Sequence, residues 1–261
     1  MRELDSRALS GRITAVPIVS MTSFQARTAF VVPQDGKNLN RCFAGSPDGT
    51  FSDVLAHHVF DELIAPSDVL IDLHGGDMVE ALEPFTLYNE SAISADAHAL
   101  AVSFGFPYVV RVRHESAPIG GTTADAAAAA GIPAVIAEAG GCGLLEEDAV
   151  QLHLDGLHRA LVHLGMLSSE EPPPHREQQL VDRFLWLRSA QAGWWEPVVR
   201  AGHVVSEGTT LGTVKSLFGD PLEEVVAPED GVVLFLTSSP AVAADGLLMG
   251  LGAGLAAIHV S

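Results

Sequence analysis

Three short apolar runs, Val69-Leu70-Ile71-Asp72-Leu73-His74, Tyr108-Val109-Val110-Arg111-Val112 and Ala134-Val135-Ile136-Ala137-Glu138, alternate along the chain with segments of helical character. No other feature limits the fold as much. The runs read as strands, and helices are predicted between and after them over 94–104, 123–130 and 146–165. Upstream, Thr50-Phe51-Ser52-Asp53 opens a segment in which Val54, Leu55, Val59, Phe60, Leu63 and Ile64 recur at helical spacing until Pro66 stops it. Residues 12–19, Arg-Ile-Thr-Ala-Val-Pro-Ile-Val, read as one more buried strand, with Pro17 placing it at an edge or an end. Strands alternating with helices predict an α/β fold, a mostly parallel sheet with helices on both faces. In such sheets chemistry gathers at the carboxyl ends of strands, where His74 and Glu138 both stand.

The helical periodicity stops near residue 167. Ser168-Ser169-Glu170-Glu171-Pro172-Pro173-Pro174-His175 reads as an extended spacer, because three consecutive prolines forbid helix. The expected organisation is therefore an α/β domain over 1–167, a linker over 168–178 and a β-rich domain over 179–261. Within that tail, Gly202-His203-Val204-Val205-Ser206-Glu207-Gly208 and Val226-Ala227-Pro228-Glu229-Asp230-Gly231 look like hairpins of lipoyl and biotinyl carrier domains. Carriers expose a modified lysine on a tight turn, whereas Lys215 sits in Val214-Lys215-Ser216-Leu217-Phe218 without that turn. A structural role is expected instead, roofing the active site or forming a homo-oligomer interface.

Composition narrows the partners. With 33 acidic against 14 basic side chains and a formal charge of -19, the chain repels phosphate backbones and anionic membrane surfaces, so neither nucleic acid nor membrane is expected. The apolar stretch from Leu247 to Ile258 is interrupted by Gly250, Gly252 and Gly254 and is too short to span a bilayer. Two cysteines, Cys42 and Cys142, are too few for a disulfide framework and fit a reducing compartment, and the residues after Met1 lack the apolar core of a signal peptide. A cytoplasmic setting is expected.

Three places carry chemistry. Asp72-Leu73-His74-Gly75-Gly76 sets an imidazole at a strand end beside glycines that admit a ligand or metal, with Asp72 available to orient the ring. The alternative is a hydrogen-bonded structural histidine. Asn40-Arg41 offers planar, bidentate hydrogen bonding suited to a carboxylate, or else a surface ion pair with a turn-capping Asn. Glu138 ends an apolar strand, where burial raises a carboxyl group into the range of general acid and base work, or where it forms a buried ion pair.

Read in order, Phe24-Gln25-Ala26-Arg27-Thr28, Asp35-Gly36-Lys37-Asn38-Leu39-Asn40-Arg41-Cys42-Phe43, Ile71-Asp72-Leu73-His74-Gly75-Gly76 and Ile132-Pro133-Ala134-Val135-Ile136-Ala137-Glu138-Ala139-Gly140-Gly141 resemble the succinylglutamate desuccinylase and aspartoacylase family, relatives of zinc carboxypeptidases. The resemblance runs from about Leu4 to Ser261. It implies a zinc-dependent amide hydrolase acting on N-acyl amino acids or similar small carboxylates. His74 is implied as a zinc ligand, Glu138 as the catalytic carboxylate, and Asn40 and Arg41 as the grip on the substrate's carboxylate. Arg27 is implied for polarising the scissile carbonyl, although family members often carry an Arg where this chain has Ala29. His74-Gly75-Gly76-Asp77 with Glu80 and Pro84-Phe85 looks closest to members that deacylate N-acyl amino acids, acetylated diaminobutyrate among them.

One departure stands out. The family draws its first two zinc ligands from a His-x-x-Glu segment that precedes the point where this sequence starts, and the chain has no such segment. Three protein ligands and an open position are the norm for a catalytic zinc. A start upstream of Met1 is the expectation, because the first residues read as the end of a helix leading into 12–19. The rival reading is a metal-poor relative that keeps the Asn40-Arg41 clamp and binds a carboxylate without catalysis. Among the remaining histidines, His57 and His58 lie inside a helix and His153, His158 and His163 do not share a helix face, so they are read as surface or packing residues. Asp77, Glu80 and His114-Glu115 are loop candidates of lesser weight.

Overall fold

The computed structural model describes residues 5, 7–113, 120–168 and 177–258. In chain order it contains α1 (Met21–Ala26), a single tight turn (Leu39–Arg41), α2 (Phe51–Val59) continued by a wider turn (Phe60–Ile64), β1 (Leu70–His74), β2 (Glu80–Leu82), β3 (Phe85–Asn89), α3 (Ser94–Phe104), β4 (Tyr108–Val112), α4 (Thr123–Ala129), β5 (Ala134–Glu138) and α5 (Glu147–His163). There follow β6 (Gln178–Arg188), β7 (Gly193–Pro197), β8 (Val204–Val205), β9 (Thr210–Lys215), β10 (Pro221–Val226), β11 (Gly231–Thr237), β12 (Ala241–Val242) and β13 (Leu247–Ile258).

Among the described residues a nine-stranded sheet forms the centre, in the order β1-β5-β3-β4-β6-β13-β11-β2 with β8 also on β11. Strand β5 shows why its sequence is apolar throughout. Side chains alternate across a strand, so Val135 and Ala137 enter a core with α3 and α5, including Leu100, Phe104 and Ala160, while Ala134 and Ile136 enter another with Ile64, Ala124 and Ala127. Helices thus cover both faces of this part of the sheet.

The sheet is mixed rather than mostly parallel. Pairs β1–β5, β3–β4 and β4–β6 are parallel, but β3 runs against β5, and β13–β6, β11–β13, β11–β2 and β11–β8 are antiparallel. The reason is the link after β1. A parallel neighbour requires a crossover long enough to carry the chain back; here the chain passes through β2 directly into β3, which returns in the opposite sense. The strand expected over 12–19 does not form: these residues are irregular, with bends at Pro17 and Val19, mostly exposed, and pair with no strand among the described residues. An apolar pattern without a partner edge leaves its backbone to water.

The expected linker falls largely on 169–176, outside the described residues, as do His114-Glu115 and the first four residues. Beyond it the tail is hydrogen-bonded into the central sheet, β6 beside β4 with Tyr108 opposite Gln179, and β11 beside β2 with Phe235 opposite Leu82. A small antiparallel sheet, β10-β9-β7-β12, packs over this part through Trp195, Leu211, Val214, Leu248, Met249 and Leu251. Cys42 and Cys142 are both free thiols. No helix among the described residues is long and apolar enough to cross a membrane.

Candidate active site

The parallel register of β1 and β5 sets His74 directly opposite Glu138 at the carboxyl ends of both strands. Asp72, two residues back, shares the His74 face of β1. The imidazole lies between the two acids, its Nε2 3.0 Å from Asp72 Oδ2 and its Nδ1 3.5 Å from Glu138 Oε1. Thr123, the first residue of α4, donates its hydroxyl to Asp72 Oδ2 at 2.5 Å and its backbone N–H to Asn40 Oδ1 at 2.9 Å. One helix start therefore joins the carboxylate behind His74 to the Asn40-Arg41 loop.

That loop is held by its own sequence. Asp35 accepts from the Thr50 hydroxyl at 2.6 Å and from the backbone N–H and hydroxyl of Ser52 at 2.8 Å each, which ties it to the start of α2. Thr50 and Asp53 form a capping box there, and Lys37 reaches Asp53 at 2.6 Å. On the other side, Phe43 N–H donates to the Gly121 carbonyl at 3.0 Å. Gly121 has φ +79°, and a Cβ on it would stand 2.5 Å from the Arg41 carbonyl, so this close approach requires glycine. The Asn40 side-chain N–H groups have no protein partner among the described residues, and the Arg41 guanidinium donates through Nη1 to the Asn40 carbonyl at 2.5 Å. Its charge lies near enough to oppose protonation of His74.

The electrostatics separate three roles. Burial works against the charged imidazole of His74, but Glu138 and Asp72 outweigh it and push the pKa up to about 9. Burial also works against ionised Asp72, yet the bonds from His74 and Thr123 hold its carboxyl below the ordinary range. For Glu138 burial dominates, Asp72 and Glu80 add to it and His74 opposes it, so its carboxyl is raised. A carboxyl group raised in this way at a strand end is suited to general acid and base work.

Of the residues singled out in the sequence, His74, Glu138, Asn40 and Arg41 thus meet around one strand end. Arg27 stands elsewhere in the described contacts: it closes α1 in a left-handed conformation with φ 52°, is exposed, and has no side-chain bond or ion pair to the other four. His57 and His58 pair with Asp61 and Glu62 one helical turn away. Two contributors were not anticipated. Thr123 carried a signal, the Thr122-x-x-Asp125 capping box that fixes where α4 begins. His153 on α5 carried none, and its Nε2 lies 3.1 Å from the His74 carbonyl.

The zinc implied by the resemblance meets a short donor set. Both ring nitrogens of His74 face carboxylates, and among the described residues no group of three or more His, Cys, Asp or Glu side chains is arranged to hold a metal ion. The described residues do not fit a catalytic zinc with three protein ligands.

The family model of the succinylglutamate desuccinylase/aspartoacylase catalytic domain matches residues 1–164. The chain belongs to this family. Its curated relatives include the N-alpha-acetyl-L-2,4-diaminobutyric acid deacetylase of Halomonas elongata, 29% identical over 247 residues that cover 89% of this chain and 71% of the relative. Among solved structures, the succinylglutamate desuccinylase/aspartoacylase of Rhodobacter sphaeroides superposes with a TM-score of 0.86 at 26% identity, covering 99% of this chain and 79% of that one. The product-bound ectoine utilization protein EutE (DoeB) of Ruegeria pomeroyi gives 0.85 at 25% identity, covering 96% and 78%. Family membership accounts for the shared mixed α/β architecture, and these named relatives include a deacetylase and a desuccinylase.

Proposed function

We propose that this chain hydrolyses the amide bond of a small N-acyl amino acid that carries a free carboxylate. The observation that carries the reading is the Glu138–His74 pair at neighbouring strand ends, with a raised carboxyl group and with the Asn40-Arg41 loop tied through Thr123 to the Asp72 carboxylate behind His74. In this scheme Arg41 and the free N–H groups of Asn40 grip the substrate's carboxylate. Glu138 accepts a proton from the attacking water as its oxygen bonds to the carbonyl carbon. It returns that proton to the amine nitrogen as the C–N bond breaks, leaving an acid and an amine. Arg27 is assigned to polarising the carbonyl on the family resemblance alone. The zinc of the resemblance lies outside the scheme, because His74 is short of the ligands such an ion takes.

The relative from Halomonas elongata is named for N-alpha-acetyl-L-2,4-diaminobutyric acid, and a substrate of that kind is proposed here. The test is a panel of N-acetyl-diaminobutyrate, N-acetyl-aspartate and N-succinyl-glutamate, incubated with the chain with and without added zinc, following the liberated amine by chromatography. Release from at least one acid, and none from its carboxamide analogue, is expected. Absence of release from every member under both conditions overturns the reading.

A further inference from the structure

We infer that His153 is a positioning residue for this site, holding the ends of β1 and β5 in the register that sets His74 against Glu138. The inference rests on the proposed hydrolysis for its consequence, but on geometry for its substance. Strand pairing between β1 and β5 ends at the His74–Glu138 pair, and the backbone beyond it opens into two glycine-rich turns. At that point the His74 carbonyl accepts from the Ala139 N–H at 3.2 Å, the long end of a backbone bond. It accepts a second time from His153 Nε2 at 3.1 Å, reaching across from α5. A single imidazole therefore bonds the His74 backbone at the point where it meets Ala139, the residue after Glu138.

The rest of the His153 environment shows that this contact is what the ring is for. Its faces and edges meet the aromatic rings of Phe104, 6.4 Å away at 73°, and Phe106, 5.7 Å away at 59°. Its Nδ1 is buried with no hydrogen-bond partner among the described residues, so the ring proton belongs on Nε2, pointing at His74. An apolar side chain fills an aromatic pocket without an orphaned nitrogen. The imidazole suits this place for the one bond that an apolar residue cannot make. Neighbours on α5, Ala149, Leu152 and Leu157, pack into the core with α3 and β5, which fixes the helix that carries it.

The experiment compares the full chain with His153→Leu, His153→Phe and His153→Gln. The first two keep the packing and lose the donor, while Gln keeps an N–H able to reach the same carbonyl. The primary readout is the imidazole 15N–1H spectrum, with the His74 signals assigned by their loss in His74→Asn. Displacement of those signals in Leu and Phe, and their return toward wild-type positions in Gln, supports the inference. Unchanged His74 signals in a folded Leu or Phe variant overturn it. Loss of the folded state in both apolar variants, with Gln folded, also overturns it by making the bond a stability element only. The kinetic readout is a fall in kcat of roughly 10- to 100-fold in Leu and Phe with KM nearly unchanged, the penalty expected of misplaced rather than missing groups, and recovery in Gln. If wild type itself releases no amine, the proposed function fails while the spectra still decide the role of His153.

Discussion

Replacing Thr123 by Val tests the link between the Asn40-Arg41 loop and β1. The change keeps the size of the side chain and spares the Thr122–Asp125 capping box. It also spares the backbone donation from residue 123 to Asn40. What is lost is a 2.5 Å hydroxyl bond to Asp72, whose side chain is only 20% exposed. A hydrogen bond to a charged group contributes about 1.5–3 kcal/mol. The new methyl returns about 0.8 kcal/mol of burial, so the net destabilisation is about 1–2 kcal/mol at neutral pH. The sign of its pH dependence follows from Asp72. Its folded-state pKa is depressed, so its bonds stabilise the fold above the ordinary carboxylate range and are lost as pH falls through that range and below. The gap between wild type and Thr123→Val should therefore be fully present at pH 7 and narrow on acidification. Urea unfolding across pH reads it, with Thr123→Ser as the control that keeps the hydroxyl. A Val variant within about 0.5 kcal/mol of wild type at pH 7, the scatter of neutral surface changes, would refute the reasoning.

Glu138→Gln keeps the shape of the side chain and removes the base, so amine release should fall at least ~100-fold while the urea midpoint holds; turnover near wild type would remove Glu138 from the chemistry. After dialysis the chain should hold far less than stoichiometric zinc by elemental analysis, since a catalytic zinc takes three protein ligands and the described residues offer His74 with no metal-binding group around it; a full equivalent would mean that other residues complete the site. Arg41→Lys should raise KM for carboxylate substrates, as a point charge replaces a planar fork, and Arg41→Ala should raise it further. Equal discrimination between acid and amide substrates by wild type and Arg41→Ala would place the carboxylate grip elsewhere.

What could be read from the sequence divides along physical lines. Strands β4 and β5 and helix α3 were legible residue for residue, because burial on both faces or one leaves an unbroken apolar record. Strand direction was not, since an apolar run reads the same either way along a sheet, and the turnabout at β3 depends on the missing crossover after β1. Residues 12–19 had the pattern of a strand but no partner, and a pattern cannot supply one. That His74, Glu138, Asn40 and Arg41 would lie near one another could be read, because in such sheets strand ends and the loops beside them share one edge. Thr123 and His153 could not be read, because their roles lie in what α4 and α5 meet across the fold.

The pairing of β2 with β11 bears on how the chain is made. Among the described residues β2 has no other strand partner, and Leu82 meets Phe235 about 150 residues later, a separation that places this contact among the slowest to form. The same short strand touches the turns that follow His74 and Glu138: the Glu80 N–H donates to the Asp77 carbonyl, and the Glu80 carbonyl accepts from the Cys142 N–H. On a ribosome, His74 and Glu138 emerge long before the strand that braces their turns. Between those moments β2 presents an unpaired edge, open to the wrong neighbour. A chain released before residue 237 would carry the proposed catalytic residues without the strand that pairs with β2 beside their turns.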